Sequence, residues 1–183
     1  YDKAVEVAVA TANNTSVGDP NGEFRLGPIS NKTQYEKIIK MIEIGIEEGA
    51  SLVAGGVEKP EGYDKGYYVK PTVFADVTND MTIAREEIFG PVLCLIKYDT
   101  EEEAIEIAND TPYGLAGYVQ GEQAHAVEVA SKIRAGQVTI NKGARVRSAP
   151  FGGYGSSGNG REHGTHGLEE CLETKAVIGA LVE

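Results

Sequence analysis

Cysteine is scarce in this 183-residue chain, and the two present, Cys94 and Cys171, are too few for a disulfide framework and lack the spacing of a metal site. A reducing compartment is compatible with that usage. No apolar run approaches the ~18 residues of a membrane span and no signal peptide opens the chain, so a cytoplasmic location is expected. Basic charge is short as well: 17 Lys and Arg stand against 28 Asp and Glu, a net charge of −11, and form no long run. Nucleic acid and membrane surfaces are therefore not expected as partners. What is present is ordinary, with 41% apolar and 25% charged residues, enough for one well-buried core.

The chain opens inside a helical pattern. Val5, Ala8, Val9 and Ala12 fall at i, i+3, i+4 and i+7, yet no capping Ser, Thr, Asp or Asn precedes Tyr1, which reads as the back part of a longer protein. A turn-rich loop runs from Ser16 to Ser30. A second helix follows, with Tyr35, Ile38, Ile39, Ile42 and Ile46 as its apolar stripe and Gly49 at its C-terminal cap. Leu52 to Ala54 is a short buried strand. Tyr67 to Val77 is extended, with Pro71 predicting an edge or interrupted strand. Met81 to Glu87 is a short helix or turn, and Pro91 to Ile96 a strand buried on both faces.

Thr100 and Glu103 spell a capping box at the head of a helix over Glu101 to Asn109. Leu115 to Gln120 reads as a strand, Glu122 to Ile133 as a helix with Ala126, Val127, Ala130 and Ile133 inward, and Gln137 to Ile140 as a strand. A long loop spans Asn141 to Gly160. A last helix, Gly167 to Glu173, precedes a terminal strand, Ala176 to Val182. Strands alternating with helices of this length predict an α/β fold, a three-layer α/β/α arrangement around a mostly parallel sheet.

Two stretches raise chemical questions. GGYGSSG contains a G-x-G-x-x-G from Gly153 to Gly158, but no alternating strand leads into it, glycines crowd the segment after it, and only 25 residues follow Gly158. A dinucleotide fold needs ~30 residues for its βαβ unit, so a phosphate loop is rejected. In EEIFGPV, Glu87 and Phe89 stand two apart, on one side of an extended segment that runs into a buried strand. Two readings stand open there. Either the carboxylate grips a pair of ribose hydroxyls beside an apolar ring wall, or Glu87 caps an element and Phe89 is core. Cys94 lies in an apolar strand, where a thiol packs as a small hydrophobe, and Cys171 has no activating neighbour; neither reads as a nucleophile. His125 is expected on a helix surface, and His163 and His166 lack partners at a ligand spacing, so no metal is expected.

Taken together, LGPISNKTQYEKI, EEGASLVAGG, EEIFGPV, NDTPYGL, AGQVTIN and PFGGYGSSGNGRE, in that order over essentially the whole chain, resemble the aldehyde dehydrogenase superfamily. The resemblance implies an NAD(P)-dependent oxidation of aldehydes to acids through a cysteine thiohemiacetal and thioester. It also implies that residues 1–160 are a catalytic domain lacking its N-terminal part, that 161–183 serve subunit contacts, and that the Rossmann-type cofactor domain, the nucleophile and the general-base glutamate lie upstream. The chain itself then holds no catalytic residue and is expected to be inactive alone. Glu87 would hold the nicotinamide ribose and Phe89 border the nicotinamide ring. Phe151 and the loop Ala144, Arg145, Val146 would line the aldehyde tunnel, with Gly152, Gly153 and Gly158 allowing a tight path beside it. Gly155 departs from the family's usual lysine. A homo-oligomer, dimer or tetramer, is implied, with apolar surface exposed near Phe89 and Phe151. From another class, an interaction module pairing through the terminal strand remains the alternative.

Overall fold

The computed structural model describes residues 1–144 and 146–179, in two compact units, Tyr1–Tyr98 and Asp99–Glu183. The first unit begins with α1 (Asp2–Asn13), which has no side-chain cap at Tyr1. Ala12 is buried and Val5, Ala8 and Val9 are half-buried, as their spacing requires. Helix α2 (Lys32–Glu47) starts where the Asn31 side chain accepts the Gln34 N–H at 2.9 Å, and it stops before Gly49, whose φ of +93° suits glycine. Its buried face is Ile38, Met41, Ile42 and Gly45. Ile46, expected inward, is 45% exposed. The face turns because Gly45 lets α2 approach closely: a Cβ there would stand 2.9 Å from Ile83 Cδ1.

Strands β1 (Ser51–Ala54), β2 (Thr72–Val77) and β3 (Val92–Ile96) form a sheet in the order β1-β2-β3, with β1 antiparallel and β3 parallel to β2. Pro71 does not mark an edge. It stands immediately before the first residue of the central strand, where its missing N–H removes no ladder bond. Phe74 points to the α2 side and is fully buried among Ile38, Met41 and Ile42, with Val92, Cys94 and Ile96 against that cluster. Val73, one residue earlier, faces α1 with Leu93. Helix, sheet and helix thus make the three expected layers. Two strands are less buried than their sequences predict, since Leu52 is 39% and Leu93 48% exposed. Helix α3 (Thr82–Arg85) is a single turn capped by the Glu48 carboxylate, which accepts the Thr82 N–H at 2.7 Å.

The second unit contains α4 (Glu101–Asn109), β4 (Ala116–Val119), α5 (Gln123–Lys132), β5 (Gln137–Ile140) and α6 (Gly164–Glu169). Thr100 Oγ1 accepts the Glu103 N–H at 3.2 Å, the predicted cap of α4. Glu122 caps α5 by accepting the His125 N–H at 3.0 Å, and that bond holds its carboxyl below the usual range. Strands β4 and β5 pair in parallel, residue for residue. Ala126, Val129, Ala130 and Ile133 form the inward face of α5, whereas Val127 falls off that face and is 51% exposed. Helix α6 starts three residues before Gly167 and ends at Glu169, four residues short of Glu173; its first residue, Gly164, has φ +61° and leaves no room for a Cβ, which would stand 2.2 Å from the Ser148 carbonyl oxygen. Ala176 to Gly179 form no strand, and the rest of the expected terminal strand lies outside the described residues. Among the described residues no helix is long and apolar enough to cross a membrane.

Candidate functional site

Between α3 and β3 the chain passes through Glu87, Ile88 and Phe89. Ile88 is buried, while Glu87 and Phe89 on either side of it are exposed, Phe89 by 72%. Phe89 has φ +56°, a left-handed conformation that bulky side chains rarely adopt and that persists only where the surroundings impose it. Helix α2 supplies the constraint. The Gln34 amide donates to the carbonyls of Ile88 (3.0 Å) and Phe89 (2.9 Å), and Lys37 Nζ donates to that of Glu87 (2.6 Å). Ile38 packs so closely under Gly90 that a Cβ there would lie 2.6 Å from its Cδ1. Gln34 and Lys37 went unnoticed in the sequence reading; the available signal was two polar residues flanking the apolar stripe position Ile38.

The Glu87 carboxylate takes no hydrogen bond from the described residues, so it caps nothing among them, and Phe89 is not core. A carboxylate unengaged by the described residues beside an outward-facing ring is chemically suited to a ligand carrying vicinal hydroxyls and a flat heterocycle.

In the second unit the glycine-rich loop is held against the turn before β4. Gly114 O accepts the N–H of both Gly136 and Tyr154 at 2.9 Å, Pro112 O accepts that of Ser156 at 2.8 Å, and Ser157 Oγ accepts that of Gly114 at 3.1 Å. These N–H groups are committed internally, and a single 3₁₀ turn (Gly155–Ser157) stands where a phosphate loop would open a helix. Arg161 donates to the carbonyls of Gly153 (3.0 Å) and Gly160 (2.8 Å), with its guanidinium 5.4 Å from the Tyr154 ring centre. The segments NDTPYGL and PFGGYGSSGNGRE, well separated in the chain, are thus one packed corner. Its tightest point is Gly136, where a Cβ would stand 1.6 Å from Gly152 O. Gly136→Ala is expected to destabilise the protein by about 1–3 kcal/mol through this overlap. An unchanged urea midpoint would show that the backbones part without cost.

The tunnel candidates lie in this same unit. Phe151 is half-buried, exchanges backbone hydrogen bonds of 2.7 Å with Glu162, and has its ring centre 6.1 Å from that of His163. Ala144 is exposed and Val146 is 56% exposed. Arg145 lies outside the described residues. Among those described, no group of three or more His, Cys, Asp or Glu is placed to hold a metal ion.

The family model for the aldehyde dehydrogenase family matches residues 1–177. The chain belongs to that family. A 3-succinoylsemialdehyde-pyridine dehydrogenase from a Pseudomonas species is 52% identical over 165 residues, 89% of this chain and 35% of that protein. Among solved structures, a variant of aldehyde dehydrogenase C from Pseudomonas syringae, in complex with NAD⁺ and octanal, is 54% identical. It matches with a TM-score of 0.96 over 100% of this chain and 38% of its own. A Mycobacterium tuberculosis aldehyde dehydrogenase complexed with NAD⁺ is 45% identical, with a TM-score of 0.93 over 100% of this chain. The chain spans about a third of the length of these aldehyde dehydrogenases, and the α/β fold is theirs.

Membership in a family whose resemblance implied a thiolate nucleophile gives the two cysteines special interest. Burial in β3 pushes the Cys94 thiol up to about 11, and its sulfur lies 3.5 Å from the Ile83 carbonyl. Cys171 is exposed. Alkylation near neutral pH is therefore expected to label Cys171 well before Cys94, read by peptide mass spectrometry; equal rates would contradict the burial. Because the folded Cys94 thiol ionises later than the unfolded one, its contribution to stability is fully present below 9.0 and is lost as pH rises toward about 11.

Proposed function

We propose that the full-length protein carrying this sequence is an NAD(P)-dependent aldehyde dehydrogenase that oxidises an aldehyde to a carboxylic acid, and that residues 1–160 are the later part of its catalytic domain. In this reading Glu87 accepts the two hydroxyls of the nicotinamide ribose and Phe89 forms the wall against the nicotinamide ring. The observation that carries it is the Glu87 carboxylate, which takes no hydrogen bond from the described residues, next to the exposed Phe89, whose strained backbone is clamped by Gln34 and Lys37. When bound, the cofactor supplies the hydride acceptor. The chain's own residues do the positioning: Glu87 orients the sugar, Phe89 keeps water from one face of the ring, and α2 holds both in register. Phe151, with Ala144, Arg145 and Val146, walls the passage for the aldehyde, and residues 161–183 serve contacts between subunits of a homo-oligomer. The complexes of the relatives with NAD⁺ and, in one, octanal support this assignment.

No nucleophile or base is assigned within the 183 residues. The chain alone, given octanal and NAD⁺ or NADP⁺, is expected to form no NADH or NADPH, whereas the full-length protein forms it. Turnover by the isolated chain, or a full-length protein inert toward a panel of aldehydes, would overturn the reading.

A further inference from the structure

Of the asparagines in the chain, only Asn21 and Asn159 precede a glycine. That dipeptide is chemically special, because a glycine without a Cβ lets its backbone nitrogen swing onto the preceding side-chain amide. The fold treats the two sites in opposite ways.

Asn21 is fastened. Its backbone N–H and its Nδ2 both donate to the Asp19 carboxylate, at 2.8 and 2.9 Å. The Gly22 N–H closes a turn on the Asp19 carbonyl at 2.9 Å, and Gly22 lies so near Phe24 that a Cβ there would stand 2.8 Å from the ring. Ring closure at Asn21 has to break these bonds and part these contacts. Asn159 is the reverse case. It is exposed, as are Gly158 and Gly160, and neither its side chain nor the Gly160 N–H takes part in a hydrogen bond among the described residues. A Cβ built on Gly158 or Gly160 meets nothing within 4 Å, so there is open space on both sides for cyclisation and for water.

We propose that Asn159 is a deamidation site and that its conversion disturbs the corner that carries Phe151. The Gly160 nitrogen gives its proton to a solvent base and bonds to Asn159 Cγ; the Cγ–Nδ2 bond breaks and ammonia leaves. Water then opens the succinimide with no change of oxidation state. Opening at Cγ leaves aspartate in a normal backbone. Opening at the main-chain carbonyl leaves isoaspartate, whose backbone runs through the former side chain and is one carbon longer.

The segment after Asn159 has no slack for that carbon. A Cβ on Gly152 would stand 2.3 Å from Gly160 O, Arg161 donates to the carbonyls of Gly153 and Gly160, and Glu162 exchanges its backbone hydrogen bonds with Phe151. A displaced Gly160 therefore pulls on the partner of Phe151, while the new carboxylate competes for the Arg161 guanidinium. The effect on the aldehyde rests on the reading of Phe151 as a tunnel wall; the deamidation does not.

The test incubates the full-length protein at mildly alkaline pH and follows each asparagine by peptide mass spectrometry, with enzymatic methylation to count isoaspartate. Asn159 is expected to convert about tenfold faster than Asn21 or more, given the hydrogen bonds that hold Asn21. The kcat/KM for aldehyde should fall in step with isoaspartate while the cofactor KM, set at Glu87, holds. Asn159→Gln, whose longer side chain requires a larger ring, should keep its activity through the same incubation. An intact Asn159, or conversion of Asn21 at an equal or greater rate, would overturn the site. Isoaspartate at position 159 with undiminished kcat/KM, or an equal loss of activity in Asn159→Gln, would overturn the coupling to Phe151. The peptide map requires no turnover. A protein that deamidates at Asn159 but oxidises no aldehyde would therefore count against the activity and leave the site intact.

Discussion

Glu87→Gln in the full-length enzyme is expected to raise the KM for the nicotinamide cofactor about 10- to 100-fold, the loss of a charge-assisted hydrogen bond of roughly 1.5–3 kcal/mol. The substitution keeps the shape of the side chain and removes its charge. Since the carboxylate takes no hydrogen bond from the described residues, thermal stability should not fall with it. That separation discriminates: a structural glutamate would lower the melting temperature and leave KM alone. A KM unchanged by Glu87→Gln would remove Glu87 from the cofactor site and take the central support of the functional reading with it.

Phe74→Ala is expected to be the most destabilising single change in the first unit, by about 3–5 kcal/mol. Phe74 is fully buried on the central strand, in the cluster that holds Ile38, Met41 and Ile42 of α2, and its ring approaches Gly45 of the same helix. Removing the ring leaves a cavity bounded by a helix and a sheet, neither of which can collapse far. Urea unfolding followed by far-ultraviolet circular dichroism gives the value, the chain having no tryptophan. A loss below ~1 kcal/mol would mean that the layers close over the gap, contrary to the packing described.

The helices were largely legible in the sequence. Thr100 was expected as the cap of α4 and is its cap, Glu122 was expected as the first residue of α5 and is its cap instead, and Asn31, the cap of α2, was not singled out. Errors arose where an apolar stripe was extended by one residue too many. Ile46 and Val127 both lie on the shoulder of a helix face, and the true face was decided by what packs there, Gly45 against Ile83 in one case and Ala126 in the other. The candidate site was legible in part. The spacing of Glu87 and Phe89 put them on one side of the chain, but whether that side was core or solvent depended on Ile88 being drawn under α2. Gln34 and Lys37 could not be linked to Phe89 by any local pattern, being more than fifty residues away along the chain.

By itself the sequence determined most of the helical and extended segments, the last helix and the terminal strand excepted, and through its motifs the family, because caps, turn glycines and apolar periodicity act over a few residues. Tertiary structure decided the order of the strands, and so made β2 central despite Pro71 and left β3 at an edge despite its apolar run. It also decided that Phe89 turns outward with a positive φ, and that Gly136 and Gly152 meet backbone to backbone. Each of these depends on hydrogen bonds and contacts between residues distant in the chain. Such pairings leave no periodic trace in the residues that make them.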